Sequence, residues 1–239
     1  MSRSDIRRVA SDVAYTHRYT DRYIDNIVFG VDFQRVNLID GDLQSQNLVL
    51  RPLRIQNWIG DELQISHRIQ KENLQEDFEI DDGVFIPAGE YEFADTEISI
   101  RTSNARSADI ELELRSGDFY TGTIKSAEVE FSWRPSRHFL ASLSYGVDFV
   151  DLPECEFDRR VTSANLTTVF SNKLSWVNLI QFDNESNDLG IDSRLHWAPA
   201  AGRNVYFVLS HNMHRDEVGD RFRSTQTGLT LKLGHTFRF

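Results

Sequence analysis

The chain has 239 residues, with 26 lysines and arginines against 37 aspartates and glutamates and a net charge of -11. That balance excludes the concentrated basic surface a nucleic-acid partner requires, so no nucleic-acid role is expected. Mean hydropathy is -0.43 and no run of about eighteen apolar residues occurs; a helical span is excluded, but not a membrane β-barrel, whose strands offer lipid only alternate residues. Cys155 is the single cysteine, so no intramolecular disulfide forms. Lysine stands only at positions 71, 125, 173 and 232. Nearly all positive charge is therefore arginine, whose fork suits paired carboxylates.

In chain order, residues 1–10 read as a polar N-terminal stub. MSRSDIRRVASDVAY has no apolar h-region and no small-residue cleavage site, so it is not a signal peptide. The chain is then either cytoplasmic or the C-terminal part of a longer exported protein. Period-two patterns follow near residues 11–20, 24–34, 46–58, 61–71 and 90–102, with bulges expected at Pro52 and between Phe93 and Ile98. ADIELELR (108–115), SAEVEFSW (126–133) and FLASLSYGVDF (139–149) alternate with few errors. Segments 157–170 and 173–183 come next, then LGIDSRLHW (189–197), 203–213 and the terminal GLTLKLGHTFRF. That makes about thirteen strands in one all-β domain over residues 11–239, with Leu112, Val129, Phe131, Leu143, Tyr145, Leu195, Leu231 and Leu233 facing outwards.

The connections alternate between polar loops, such as LQEDFEIDDGVFIPAGE, GDFYTG, DLPECEFDR and HRDEVGDRFRSTQ, and short turns, such as WIGDE, RPSR, SN and APAAGRN. This parity predicts an antiparallel up-and-down meander forming an outer-membrane-type β-barrel rather than a Greek-key sandwich. Trp58, Trp133, Trp176 and Trp197 all neighbour short turns, which predicts an aromatic rim at the lipid headgroups; Phe239 on the lipid-facing register joins it. The opposite register supplies candidate lumen-lining residues: Glu111, Glu113, Arg115, Glu128, Glu130, Asp192, Arg194, Lys232 and Arg238. The partner expected for the outer register is outer-membrane lipid.

Chemistry-bearing groupings are weak. Ser210, His211 and Asp216, or Asp192 with His196, could supply triad residue types, but no GxSxG elbow occurs. His211 and His214 with Asp216 and Glu217 need a turn between them to share a metal, since strand positions three apart face opposite ways. The acidic run Glu76, Asp77, Glu79, Asp81, Asp82 lacks EF-hand spacing. No catalytic residue, cofactor or metal site is expected. Phe119 and Tyr120 could stack on sugar rings or pack their own loop.

The ending GHTFRF resembles the terminal-aromatic signal by which the barrel-assembly machinery recognises bacterial outer-membrane proteins. Through Phe239 it implies that machinery as a partner, and deletion of Phe239 is expected to impair insertion. KLSWVNLIQFDNESNDLGIDSRLHWAPAAGRNVYFVLSHN, with GDFYTGT and VEFSWRPSRHFLASLSY upstream, resembles the C-terminal region of the bacterial domain of unknown function 5916 family, whose members are often labelled membrane-associated hydrolases. The likeness covers roughly 117–239 well and the preceding part loosely. It implies a Gram-negative outer-membrane barrel, preceded in relatives by a signal peptide and a sandwich similar to family-9 carbohydrate-binding modules, through which a carbohydrate ligand would bind. Neither of those precedes the strands here.

The expected function is an outer-membrane anchor or pore for a longer exported protein, with no chemistry of its own. The alternatives are the C-terminal part of a hydrolase acting on carbohydrate, implied only by the relatives' label, and a soluble β-sandwich carbohydrate-binding module. Parity adds one more expectation. Both termini of a bacterial barrel lie on the periplasmic side, so about thirteen strands imply an incomplete barrel of about fourteen or more.

Overall fold

The computed structural model describes residues 6–20, 23–81, 83–153, 155–216 and 221–236. Among them the regular elements are all strands: β1 (Ile6–Arg18), β2 (Ile24–Leu38), β3 (Leu43–Asn57), β4 (Glu62–Leu74), β5 (Phe78–Asp81), β6 (Val84–Ile86), β7 (Gly89–Arg101), β8 (Ala108–Phe119), β9 (Gly122–Ser136), β10 (Phe139–Asp151), β11 (Glu156–Ser171), β12 (Leu174–Asp183), β13 (Asp188–Ala200), β14 (Arg203–Asp216) and β15 (Arg221–His235). Thirteen of these join one sheet in chain order, and β5 and β6 form a separate hairpin between β4 and β7. The expected thirteen-strand antiparallel meander is therefore present, with no Greek-key crossover. Strands β1 and β15 are the two ends of the order, so the sheet is not closed.

The chain divides into two compact units. One comprises Met1–Ser103, Glu111–Ala127 and Asp148–Asp158; the other comprises Asn104–Ile110, Glu128–Val147 and Arg159–Phe239.

In the first unit, the ladder from β1 to β8 is held by consecutive antiparallel pairings. Pro52 is skipped where the β3–β4 register shifts between Leu50 and Leu53, as a residue without an N–H requires. The bulge expected between Phe93 and Ile98 is absent: β4 and β7 pair without a shift from Leu74↔Gly89 to Glu62↔Arg101. The change of phase in the sequence has another cause. Phe93 shares a face with Asp95 and Glu97, and that face turns from charged to apolar along the strand.

The second unit pairs β11 to β15 in consecutive antiparallel ladders, with single register shifts at Val169/Ser171, Trp197/Ala200 and Asn212/Met213. Except for β12, with 10 residues, these strands of 13–16 residues exceed the roughly 9–11 that a tilted span of the hydrocarbon needs. They extend into what the composition suggested were long loops. HRDEVGDRFRSTQ is mostly β14 and β15, and in the first unit GDFYTG holds only a two-residue turn, Tyr120 and Thr121, between β8 and β9. Continuing the ladder satisfies backbone groups that a loop would leave to water. Gly117 and Gly122 make this turn possible, because a Cβ at Gly117 would run into the backbone of Ala94 and Asp95 and one at Gly122 into that of Asp151 and Leu152. The connection between β4 and β7 is an excursion that carries its own hairpin, β5–β6.

Candidate functional site

Residues paired across an antiparallel ladder share a face, so the registers sort each unit into two surfaces. In the first unit one face carries Val13, Val31 and Leu50, then Tyr15 and Phe29, then Ile65 with Ile98, and Leu63 with Ile100 and Leu112. Many of these side chains are uncovered: Val13 is 71% exposed, and Tyr15, Phe29, Val31, Ile98, Ile100 and Leu114 on this register are also open, while Leu50, Leu63, Ile65 and Leu112 are half-buried. In the second unit the same kind of face carries Ile180, Ile191, Leu195, Phe207, Leu229, Leu231 and Leu233, with Leu233 71% exposed. Along β13 this apolar stretch runs from Leu189 to Trp197, roughly 26 Å of strand. Of the outward set expected from the sequence, Phe131, Leu143, Tyr145, Leu195, Leu231 and Leu233 are exposed, while Leu112 and Val129 are half-buried.

Polar groups set within these apolar faces find partners on the adjacent strand. His67 Nδ1 lies 3.0 Å from Thr96 Oγ1, and His211 Nδ1 lies 2.8 Å from Thr227 Oγ1. Trp176 Nε1 donates to Ser193 Oγ at 2.8 Å, and that hydroxyl donates to Asn178 Oδ1 at 2.8 Å. A water-facing surface has no need of such internal satisfaction; a dry one does.

The opposite face of the first unit is a ladder of ion pairs. Arg51 meets Asp32 at 2.7 Å, beside Gly30, whose missing side chain leaves room for the guanidinium. Arg54 meets Glu62 at 2.7 Å, and Arg101 pairs with Glu111. At the centre, the Asp95 side chain is only 1% exposed, with Arg115 Nε at 3.5 Å and Arg68 at 3.9 Å; Arg68 also reaches Glu97 at 3.6 Å. Glu113 shares this face opposite Ser99. Of this network the sequence reading named only Glu111, Glu113 and Arg115. Asp32, Arg51, Arg68, Asp95 and Glu97 carried the same signal, charges at even spacing on apolar-alternating strands, but in segments whose alternation is weak.

In the second unit the polar face includes Asp192 and Arg194 on β13 and Lys232 opposite Tyr206. Gly146, whose Cβ position comes within 4.0 Å of Glu128, brings Glu128 to the face on which Ser144 and Ser163 bond at 2.7 Å. Glu130 lies two residues further along the same register and accepts from Ser132. Val177, Leu179 and Val208 also lie on this face, so it is mixed rather than uniformly charged. A shallow groove of about 270 Å³ over Gly190 is lined by Gln181, Asp192 and Asn212 among others.

Trp133, Trp176 and Trp197 are exposed near short turns, and exposed Trp58 sits in the β3–β4 turn. There Asn57 Oδ1 accepts from the backbone of Ile59, Gly60 and Asp61. Arg238 and Phe239 lie outside the described residues.

The triad residue types do not converge. Ser210 donates to Asp192 on the polar face, whereas His211 projects from the other face to Thr227. His196 stacks on Tyr206 with centroids 4.4 Å apart and bonds Asn204 at 3.0 Å. His214 turns to Asp188 at 2.9 Å, away from His211. Among the described residues no group of three metal-ligating side chains comes together. Asp77 and Glu79 accept from the backbone of Ala88 and Gly83, so these acids shape their own loop.

Phe119 and Tyr120 pack rather than present their faces. Both lie against Phe93, with centroids 6.3 and 5.0 Å away, and Tyr120 also meets Tyr91. Tyr120 adopts φ +49° and donates to Glu72 Oε2 at 2.7 Å. Burial first, then the Glu72 hydrogen bond, pushes its hydroxyl well above the ordinary range. A raised folded-state value means this contribution is intact below the unfolded value of about 10 and is lost only as pH rises beyond it. Tyr120→Phe is expected to lower stability by about 1 kcal/mol, the modest end for a bond to a carboxylate because the pair is partly open to water. Urea unfolding of the two proteins at neutral pH measures it, and the difference should shrink at strongly alkaline pH.

No protein-family model, no curated protein and no solved structure matches this chain.

Proposed function

We propose that this chain is a Gram-negative outer-membrane β-barrel domain, serving as a membrane anchor or pore for a longer exported protein and carrying no chemistry of its own. The observation that supports the reading best is that large apolar side chains stand exposed on one face of each unit, while in the first unit the opposite face carries paired charges around the buried Asp95. A water-soluble protein rarely leaves apolar patches of this extent uncovered; a membrane strand presents this alternation to lipid and lumen. The internally bonded histidines, amide and indole on the apolar faces support a dry surrounding. Exposed tryptophans near the short turns fit an interfacial belt. The resemblance read from GHTFRF would make Phe239 the aromatic that the assembly machinery recognises, and the resemblance over roughly 117–239 would imply the same location, with a carbohydrate-binding module upstream.

Expression behind an export signal in a Gram-negative host tests the proposal. The chain should sediment with the outer membrane, resist alkaline extraction and migrate faster before boiling than after it. Recovery as a soluble periplasmic protein would count against it.

A further inference from the structure

We infer that the β5–β6 hairpin is an inward-seated plug that narrows the water-filled path along the polar face; the inference rests on the membrane reading above. It starts from a change of character along that face in the first unit. The register that carries Arg68, Asp95 and Arg115 mid-strand carries Tyr91, Phe93 and Phe119 toward one end. There Ile124, Val150 and Leu152 are buried together with Ile86 of the hairpin, and Leu74, Ile80, Val84, Tyr91, Phe119, Tyr120, Cys155 and Phe157 pack around them. Ile86 is 2% exposed.

This cluster holds four of the six buried hydrophobic residues among those described. The nearest thing the first unit has to a core therefore does not hold two sheet layers together; it seats a hairpin on a face that is otherwise charged. A loop that simply projected into solvent would need no apolar seat there, and apolar residues lining a water-filled interior would be costly without a cover. The hairpin is two-sided to match. Ile80, Val84 and Ile86 turn to the seat, while Phe85 is exposed opposite Glu79. Its ends are tied down as well: Tyr91 donates to Pro87 O at 2.8 Å, and Asp77 Oδ1 accepts from Ala88 N at 2.9 Å. In a barrel of the kind proposed above, a hairpin seated on the lumen-facing side narrows the path, as interior loops do.

The test reconstitutes the full-length chain in planar lipid bilayers and follows amide hydrogen exchange over Phe78–Ile86 in the same preparations. Ile86→Glu places a charge in the seat and should release the hairpin, giving a several-fold rise in unit conductance together with faster exchange. Val84→Ser, a milder change, should move both readouts in the same direction and covers the case in which Ile86→Glu folds poorly. Phe85→Ser, on the open side, should leave both unchanged. If exchange accelerates but lipid-inserted variants conduct no more than the parent, the hairpin is not on the path and the inference is overturned. If neither parent nor variants insert into lipid, the membrane reading fails and the plug fails with it; loosened exchange without insertion identifies that case.

Discussion

Leu143→Arg is expected to destabilise the lipid-embedded protein by about 2–4 kcal/mol, the cost of an arginine on the lipid-facing side of a barrel strand near mid-depth. Leu143 lies mid-strand in β10 and is 52% exposed. The sign makes the substitution informative. At a water-facing site, replacing a half-exposed leucine with arginine falls within about 0.5 kcal/mol of neutral and improves solubility. In a dry surrounding the same change leaves a guanidinium to snorkel or drag water toward it. Equilibrium unfolding by urea from lipid vesicles, with Ser144→Arg on the opposite face as a companion, separates the two: Leu143→Arg should lose far more stability than its neighbour.

The second large effect is expected at Asp95. Its carboxylate is buried, and Arg115 and Arg68 are the cations beside it. Arg115→Leu removes the nearer one, leaving a buried charge under-compensated, and should cost about 3–5 kcal/mol. Adding Asp95→Leu should recover most of that loss, because replacing a whole buried pair by apolar groups is often close to neutral. If the single substitution proves neutral, the cluster is wetter and weaker than its geometry indicates. Full loss in both variants would instead mean that Arg115 matters by packing its stem.

Most of the sheet was legible because strands with one apolar face announce themselves by period two. LGIDSRLHW and SAEVEFSW alternate almost without error, and each became a strand of the expected parity. Three features resisted. Phe93 broke the alternation and suggested a bulge, yet the β4–β7 register is unbroken there; this apolar residue on the polar face packs against Phe119 and Tyr120, distant contacts that local pattern cannot reveal. GDFYTG and HRDEVGDRFRSTQ looked like loops by composition, but β8 and β9 reach into the first and β14 and β15 into the second. The central ion pairs were missed at Arg68 and Asp95 because charge type says which face a residue prefers, while partners depend on register, and register is set by neighbours distant in sequence. Ser210 and His211 illustrate the converse. Adjacent in sequence, they supply two triad residue types, and strand geometry sends them to opposite faces.

The central claim is that the exposed apolar faces meet hydrocarbon and the charged faces meet water. Strand β13 tests it most directly, through single cysteines placed in a Cys155→Ser background at Leu189, Ile191 and Leu195, and at Asp192, Arg194 and His196, each labelled with a fluorophore after reconstitution. Quenching by lipid-borne spin labels should be strong at the first three positions and weak at the others, and an aqueous quencher should give the reverse, with a period of two residues along the strand. Uniform access of the aqueous quencher to all six positions, with no quenching from the lipid, would contradict the membrane assignment.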